Sequence, residues 1–198
     1  MTRVAILGGS FNPPTTGHIR LAEFVLDSGV VDTVWLMPCY GHMHGKDNVT
    51  PEHRLEMCKM ATTFNKNIRV SDFEIKNKLR GSTFELIERL KKENLCIDFS
   101  YIIGLDNANT LYTWHNHEEL KKTTKFIVVN RAGVEKKESS NWCKESPHTF
   151  LDSEQLIPEC SSTLVRNSLK ENPTRLTPML DFYIQLYINK YGLYPAWD

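Results

Sequence analysis

The residues with the most chemical content stand near the start of the chain. Gly8-Gly9-Ser10-Phe11-Asn12-Pro13-Pro14-Thr15-Thr16-Gly17-His18 follows a short apolar run and leads into a helical pattern. Glycines at such a turn let backbone amides approach a phosphate. The N-terminus of the following helix directs roughly half a positive charge to the same place. His18 falls in the first turn of that helix, where its imidazole adds a donor to a bound phosphate. The string is neither G-x-G-x-x-G nor G-x-x-x-x-G-K-[ST], so a standard dinucleotide fingerprint and a P-loop are both absent.

Other strings carry less on their own. Cys160-Ser161-Ser162-Thr163-Leu164-Val165-Arg166 opens a helix, and Ser or Thr at a helix start is ordinarily a cap. Gly104-Leu105-Asp106 ends an apolar run, with Trp114 eight residues beyond Asp106. An isolated Trp in an amphipathic segment is ordinarily core. The loop Tyr40-Gly41-His42-Met43-His44-Gly45-Lys46 has two histidines two residues apart but no third ligand nearby, so no metal site is predicted. Ser82-Thr83 reads as a helix cap, and His115 and His117 as a polar helical face.

Taken in order, the strings resemble the nucleotidyltransferase superfamily. Residues 9 to 18 fill every fixed position of G-[ST]-F-[DN]-P-x-[HT]-x-G-H, and residues 160 to 166 resemble I-S-S-T-x-x-R with Cys160 in place of isoleucine. Gly104-x-Asp106-x(7)-Trp114 and the strand ending Asn130-Arg131-Ala132-Gly133 look like the nicotinate/nicotinamide mononucleotide adenylyltransferase branch. The resemblance implies transfer of an adenylyl group from ATP to a pyridine mononucleotide, with Mg²⁺ held on the substrate phosphates.

It also implies residue roles. His18 and Arg166 are catalytic. Gly8, Gly9, Ser10, Phe11, His18, Gly104, Asp106, Ser162, Thr163 and Arg166 contact ATP. Asn12, Tyr40, His44 or Lys46, Thr83, Trp114 and Arg131 contact the mononucleotide, with Trp114 stacking on the electron-poor pyridine. Alternatives are a phosphopantetheine or cytidylyl transferase, which the Asp106–Trp114 spacing counts against, and a non-catalytic nucleotide binder, which has no need of His18 and Arg166. Asn12 and Thr15 match the eukaryotic enzymes, while the short Asp106–Trp114 spacing and compact length look bacterial. The aromatic residue that relatives carry just ahead of Thr83 is missing, so the choice between nicotinate and nicotinamide stays open.

Elements must place these strings together. Apolar runs at Val4–Leu7, Thr33–Met37, Ile68–Ser71, Phe99–Ile103 and Phe126–Val129 read as strands. Between them, helical patterns are predicted over Thr16–Ser28, Pro51–Ala61 and Ser82 or Thr83 to Asn94. That alternation predicts right-handed crossovers and an α/β, Rossmann-like, doubly wound parallel sheet. Ligands in such sheets bind beyond the carboxyl ends of the strands, where the glycine turns fall. Residues 135–147 are polar and predict an exposed loop, within which Trp142 can pack down. Two helices are expected within 161–191, broken between Pro173 and Pro178. The expectation is one nucleotidyltransferase domain over 1–198, with its motifs within 3–170.

The 198 residues carry 24 Lys+Arg against 24 Asp+Glu, with 40% hydrophobic and 24% charged residues. Such a balance gives no bulk field for nucleic acid or for polybasic membrane attachment. A chain of this length buries roughly 70% of its unfolded surface and needs no disulfide or structural metal. Its five scattered cysteines read as reduced thiols. With no secretion h-region and no apolar stretch long enough to span a bilayer, a cytoplasmic protein is expected. Its expected partners are small molecules, and a homo-oligomer is left open.

Overall fold

The structure, a computed structural model, describes residues 1–41, 49–80, 82–130, 134–153, 160–172 and 176–195. Its centre is a six-stranded sheet of β1 (Thr2–Gly9), β2 (Thr33–Pro38), β3 (Ile68–Val70), β4 (Ile97–Gly104), β5 (Lys125–Asn130) and β6 (Thr149–Asp152). The order is β3-β2-β1-β4-β5-β6 and every pairing is parallel. Chain direction across the sheet reverses between β1 and β4, which opens a crevice at their carboxyl ends.

The continuous apolar run of β1 is explained by burial on both faces. Val4 and Ile6 join Tyr101, Ile103, Phe126 and Val128 on one side of the sheet. Ala5 and Leu7 join Val34, Leu36, Ile102 and Ile127 on the other. Strand alternation puts successive side chains into different cores, so no polar position is tolerated in between. β1 runs on through Gly8 and Gly9, where the sequence predicted its end. A Cβ on Gly8 would stand 2.1 Å from the Tyr101 hydroxyl, so the strand continues only because this residue has no side chain.

Helices α1 (Thr16–Asp27), α2 (Pro51–Ala61), α3 (Phe73–Lys76), α4 (Thr83–Glu93), α5 (Leu105–Asn109) and α6 (His117–Thr123) connect the strands. α1 stops where Gly29 adopts φ +71°, as its position predicts. α7 (Ser162–Glu171) and α8 (Phe182–Tyr191) follow the last strand. With α2 they enclose a third apolar cluster that includes Met57, Val165, Leu169, Ile184, Ile188 and Tyr194. None of the described helices is long and apolar enough to cross a membrane.

Two expectations are corrected. Residues 135–147 are not simply an exposed loop: Glu138–Lys144 is a 3₁₀ helix in which Ser140 and Cys143 are buried. The cause is one distant side chain. Asn109 Nδ2 donates to the Glu135 carbonyl at 2.9 Å, and Asn109 Oδ1 accepts from Lys137 N–H at 3.0 Å and Ser140 Oγ at 2.7 Å. Trp142 then packs edge-on against Phe126, with ring centroids 5.4 Å apart. His115 and His117 do not share a helical face either. His117 begins α6, while His115 lies in the turn ahead of it, after a 3₁₀ helix over Leu111–Thr113.

Candidate active site

The carboxyl end of β1 is the floor of the site, and the turn after it is held from three directions. Phe11 takes φ +48°, is 1% exposed, and meets the His18 ring edge-on at 5.0 Å. Its side chain thus supports the histidine by packing. Asn12 is buried, and its Oδ1 accepts a 2.5 Å hydrogen bond from the Tyr194 hydroxyl. From the third side comes α7: Arg166 Nη1 donates to the Asn12 carbonyl at 2.8 Å, and Ser162 Oγ to the Pro13 carbonyl at 2.7 Å. Strings more than 140 residues apart in sequence therefore share one turn.

Gly17 makes that junction possible. A Cβ there would lie 3.0 Å from the Cys160 carbonyl oxygen and 3.1 Å from its Cβ, so the start of α1 and the approach to α7 pack backbone against backbone. The Ser161 hydroxyl caps α7 by accepting from Leu164 N–H at 3.2 Å. Thr163, exposed on the first turn, accepts from Arg166 Nη2 at 3.1 Å. The cap that the sequence predicts is thus present, alongside the docking contacts of Ser162 and Arg166.

His18 has a defined hydrogen-bonding state. The Thr15 backbone N–H donates to its Nδ1 at 3.0 Å, and the Thr15 hydroxyl lies 2.8 Å from the same nitrogen. A nitrogen that accepts from an amide carries no proton, which assigns the neutral ring's hydrogen to Nε2. Thr15 and His18 thereby form a capping box at the start of α1, with histidine in the place usually held by glutamate. The imidazole is left with an N–H donor whose direction is fixed by a backbone bond.

Beside this turn lies a cavity of about 670 Å³ bounded by Gly8, Gly9, Ser10, Thr83, Tyr101 and Trp114, with Glu74 and His115 also on its wall. Of the residues predicted for ligands, Gly8, Gly9, Ser10, Thr83 and Trp114 face this space together. Trp114 also packs on the main core, as an isolated Trp ordinarily does. Gly104 ends β4 and caps α5, which places exposed Asp106 in that helix's first turn, at the same edge of the sheet. His44, Lys46 and Arg131 lie outside the described residues. Tyr40 is partly buried, and its backbone is anchored at both its N–H and its carbonyl.

Those anchors are residues the sequence did not single out. Arg54, on α2, is fully buried. Its guanidinium donates to the carbonyls of Ser10 at 2.6 Å, Cys39 at 2.7 Å, Tyr40 at 3.2 Å and Val49 at 3.3 Å. Glu74, on α3 and 5% exposed, accepts from Tyr40 N–H at 3.3 Å. Burial pushes the Glu74 carboxyl up to about 7, against the smaller opposing effects of the Tyr40 bond and the Arg54 charge. Burial likewise drives the Tyr101 phenol well above its ordinary range, assisted by the neighbouring Glu74 charge and opposed by a hydrogen bond with Thr83. Among the described residues no group of three or more His, Cys, Asp or Glu side chains is arranged to hold a metal.

A glycine turn at the switch point of a parallel sheet, a directed imidazole and an arginine-bearing helix thus meet at one place in the fold. The cytidylyltransferase-like family model matches residues 6–168. A probable nicotinate-nucleotide adenylyltransferase of Myxococcus xanthus is 33% identical over 97% of this chain and 94% of its own length. One from Bacillus cereus is 31% identical over 99% of this chain and all of its own. The chain belongs to the nicotinate-nucleotide adenylyltransferase family. Its fold matches that of the Plasmodium falciparum nicotinic acid mononucleotide adenylyltransferase complexed with NaAD, with a TM-score of 0.80, 22% identity and coverage of 98% of each chain.

Proposed function

We propose that this chain joins the adenylyl group of ATP to nicotinate mononucleotide, releasing pyrophosphate and forming nicotinate adenine dinucleotide. The observation that carries the reading is the position of the cavity, which runs from the indole of Trp114 to the Gly8-Gly9-Ser10 turn. A pyridine stacked on the indole has its ribose 5′-phosphate directed at the turn where an anion is best held. The volume suits a small ligand of this kind. The acid is favoured over the amide as acceptor because the curated relatives are named for the nicotinate nucleotide.

The acceptor phosphate attacks the α-phosphorus in line. A phosphate monoester is already largely ionised at neutral pH, its second pKa being about 6, so no general base is required. The chain's part is to align the two phosphates and stabilise charge, for which alignment alone supplies roughly 7 to 11 kcal/mol. The Nε2–H of His18 donates to the α-phosphate as charge grows on its oxygens. Arg166 and Thr163 exchange their mutual hydrogen bond for the outer phosphates and the departing pyrophosphate, with Ser162 fixing the helix beneath them. Gly104 and Asp106 take the adenosine, while Thr83, Asn12, Tyr40, Arg131 and His44 or Lys46 take the acceptor. Mg²⁺ would be held mainly by the ATP phosphates and would supply neutralisation of their charge. The reading places one such domain over residues 1–198, working in the cytoplasm on small molecules, with neither nucleic acid nor membrane as partner.

A coupled pyrophosphate assay with ATP and Mg²⁺ tests it. Release should occur with nicotinate mononucleotide and fall away with phosphopantetheine; absence of release with either pyridine mononucleotide would overturn the reading. Trp114→Ala should raise KM for the mononucleotide about tenfold, the value of one lost stacking contact, while KM for ATP moves less than about twofold. Equal changes in both would displace the pyridine from Trp114.

A further inference from the structure

Glu74 is a buried carboxyl on the cavity wall that the reaction above does not use. The cavity gathers Glu74, Thr83, Tyr101 and Trp114, and Glu74 and Tyr101 are close enough to affect one another electrostatically. The Arg54 guanidinium is near, but its hydrogen bonds go to four backbone carbonyls and not to this carboxylate. A negative charge on Glu74 is therefore poorly compensated, in a space that has to admit either an anionic or a neutral pyridine substituent.

We propose that Glu74 is a specificity residue for the acceptor: uncharged, it admits the carboxylate of the nicotinate ring, and ionised, it repels that carboxylate while leaving the carboxamide of the nicotinamide ring unaffected. The inference rests on the reading of the Trp114 cavity as the pyridine site. Burial raises the Glu74 carboxyl to about 7, so its ionised fraction grows across the neutral range. Preference for the acid over the amide should then fall as pH rises. The groups facing Glu74 are Arg54 from α2, the Tyr40 N–H beyond β2 and Tyr101 from β4, and Cys39 lines the same cavity. Asp72 and Lys76 flank it on its own element, and His115 shares the cavity. Tyr101 stays neutral throughout this range. His115 is the imidazole on the same cavity wall, and its removal is the control.

The test is the ratio of kcat/KM for nicotinate mononucleotide to that for nicotinamide mononucleotide, measured from pH 6 to 8. The titration of the 5′-phosphate is common to both acceptors and cancels in the ratio. The expected result is a fall of about tenfold in the wild-type protein and a flat, uniformly high ratio in Glu74→Gln. A flat wild-type ratio, or the same slope in Glu74→Gln, overturns the proposal. Should that variant not fold, or the amide not turn over, binding calorimetry at pH 7.5 in buffers of different ionisation heat replaces it. The acid should then take up on the order of half a proton more than the amide, in the wild type and equally in His115→Gln. No excess, or loss of the excess in His115→Gln, overturns the assignment to Glu74. Turnover of neither mononucleotide is a different result, which removes the function on which the proposal rests.

Discussion

Replacement of His18 by alanine is expected to lower kcat by about a hundredfold or more, equivalent to about 2.7 kcal/mol of transition-state stabilisation. The side chain has two functions, one on each ring nitrogen, and they can be separated. Nδ1 accepts from Thr15 N–H and completes the capping box at the start of α1, so alanine also removes a cap worth ~1 kcal/mol of stability. His18→Asn keeps a capping acceptor, because the asparagine Oδ1 is as many bonds from Cβ as the histidine Nδ1. It offers no donor at the position of Nε2. The two variants should therefore share the loss in kcat, while only alanine shows the loss in chemical denaturation. Near-normal turnover in either would remove His18 from the phosphate.

The second large effect is on the framework. Arg54→Leu should destabilise the protein by about 4 kcal/mol or more, a fall of roughly 10 °C in Tm, because it strands the carbonyls of Ser10, Cys39, Tyr40 and Val49 with no donor. Each orphaned buried carbonyl costs ~1–3 kcal/mol, and leucine fills the volume without supplying a single hydrogen bond. Arg54→Lys keeps the charge but cannot reach four acceptors on two sides, so it should recover only part of the loss. Residual activity should show KM raised for both substrates, since Arg54 holds the Ser10 turn and the Tyr40 backbone together. An unfolding free energy from urea denaturation within about 1 kcal/mol of wild type in Arg54→Leu would contradict this account.

The contrast between His18 and Arg54 explains how far the sequence could be read. His18 belongs to a string in which glycine, capping threonine and helix start are neighbours in the chain, so local chemistry predicts their meeting. Pro51 and Gly29 marked helix boundaries for equally local reasons. Arg54 sits amid Glu52, His53 and Glu56, where a lone arginine reads as part of a solvated face. Its burial depends on carbonyls supplied by loops after β1 and β2. Glu74 sits on a four-residue helix, too short to show periodicity. The 3₁₀ helix over Glu138–Lys144 was missed because Asn109, which organises it, lies 26 to 31 residues away from the groups it binds. Local pattern thus reveals the residues of the glycine turn, and tertiary bonding selects those that hold it still.

The hydrogen bond from the Tyr194 hydroxyl to Asn12 spans 182 positions. During synthesis, residue 12 leaves the ribosome long before residue 194 exists, so the glycine turn is made early and completed late. α1 can form and cap itself as a nascent segment, but the turn acquires its partners from α7 and Tyr194 only after those later residues have been made. Contacts of such long sequence separation form slowly. Competence to bind nucleotide is therefore expected to arise in one late step, which withholds a half-built phosphate site from the nucleotide pool while the chain is still being made.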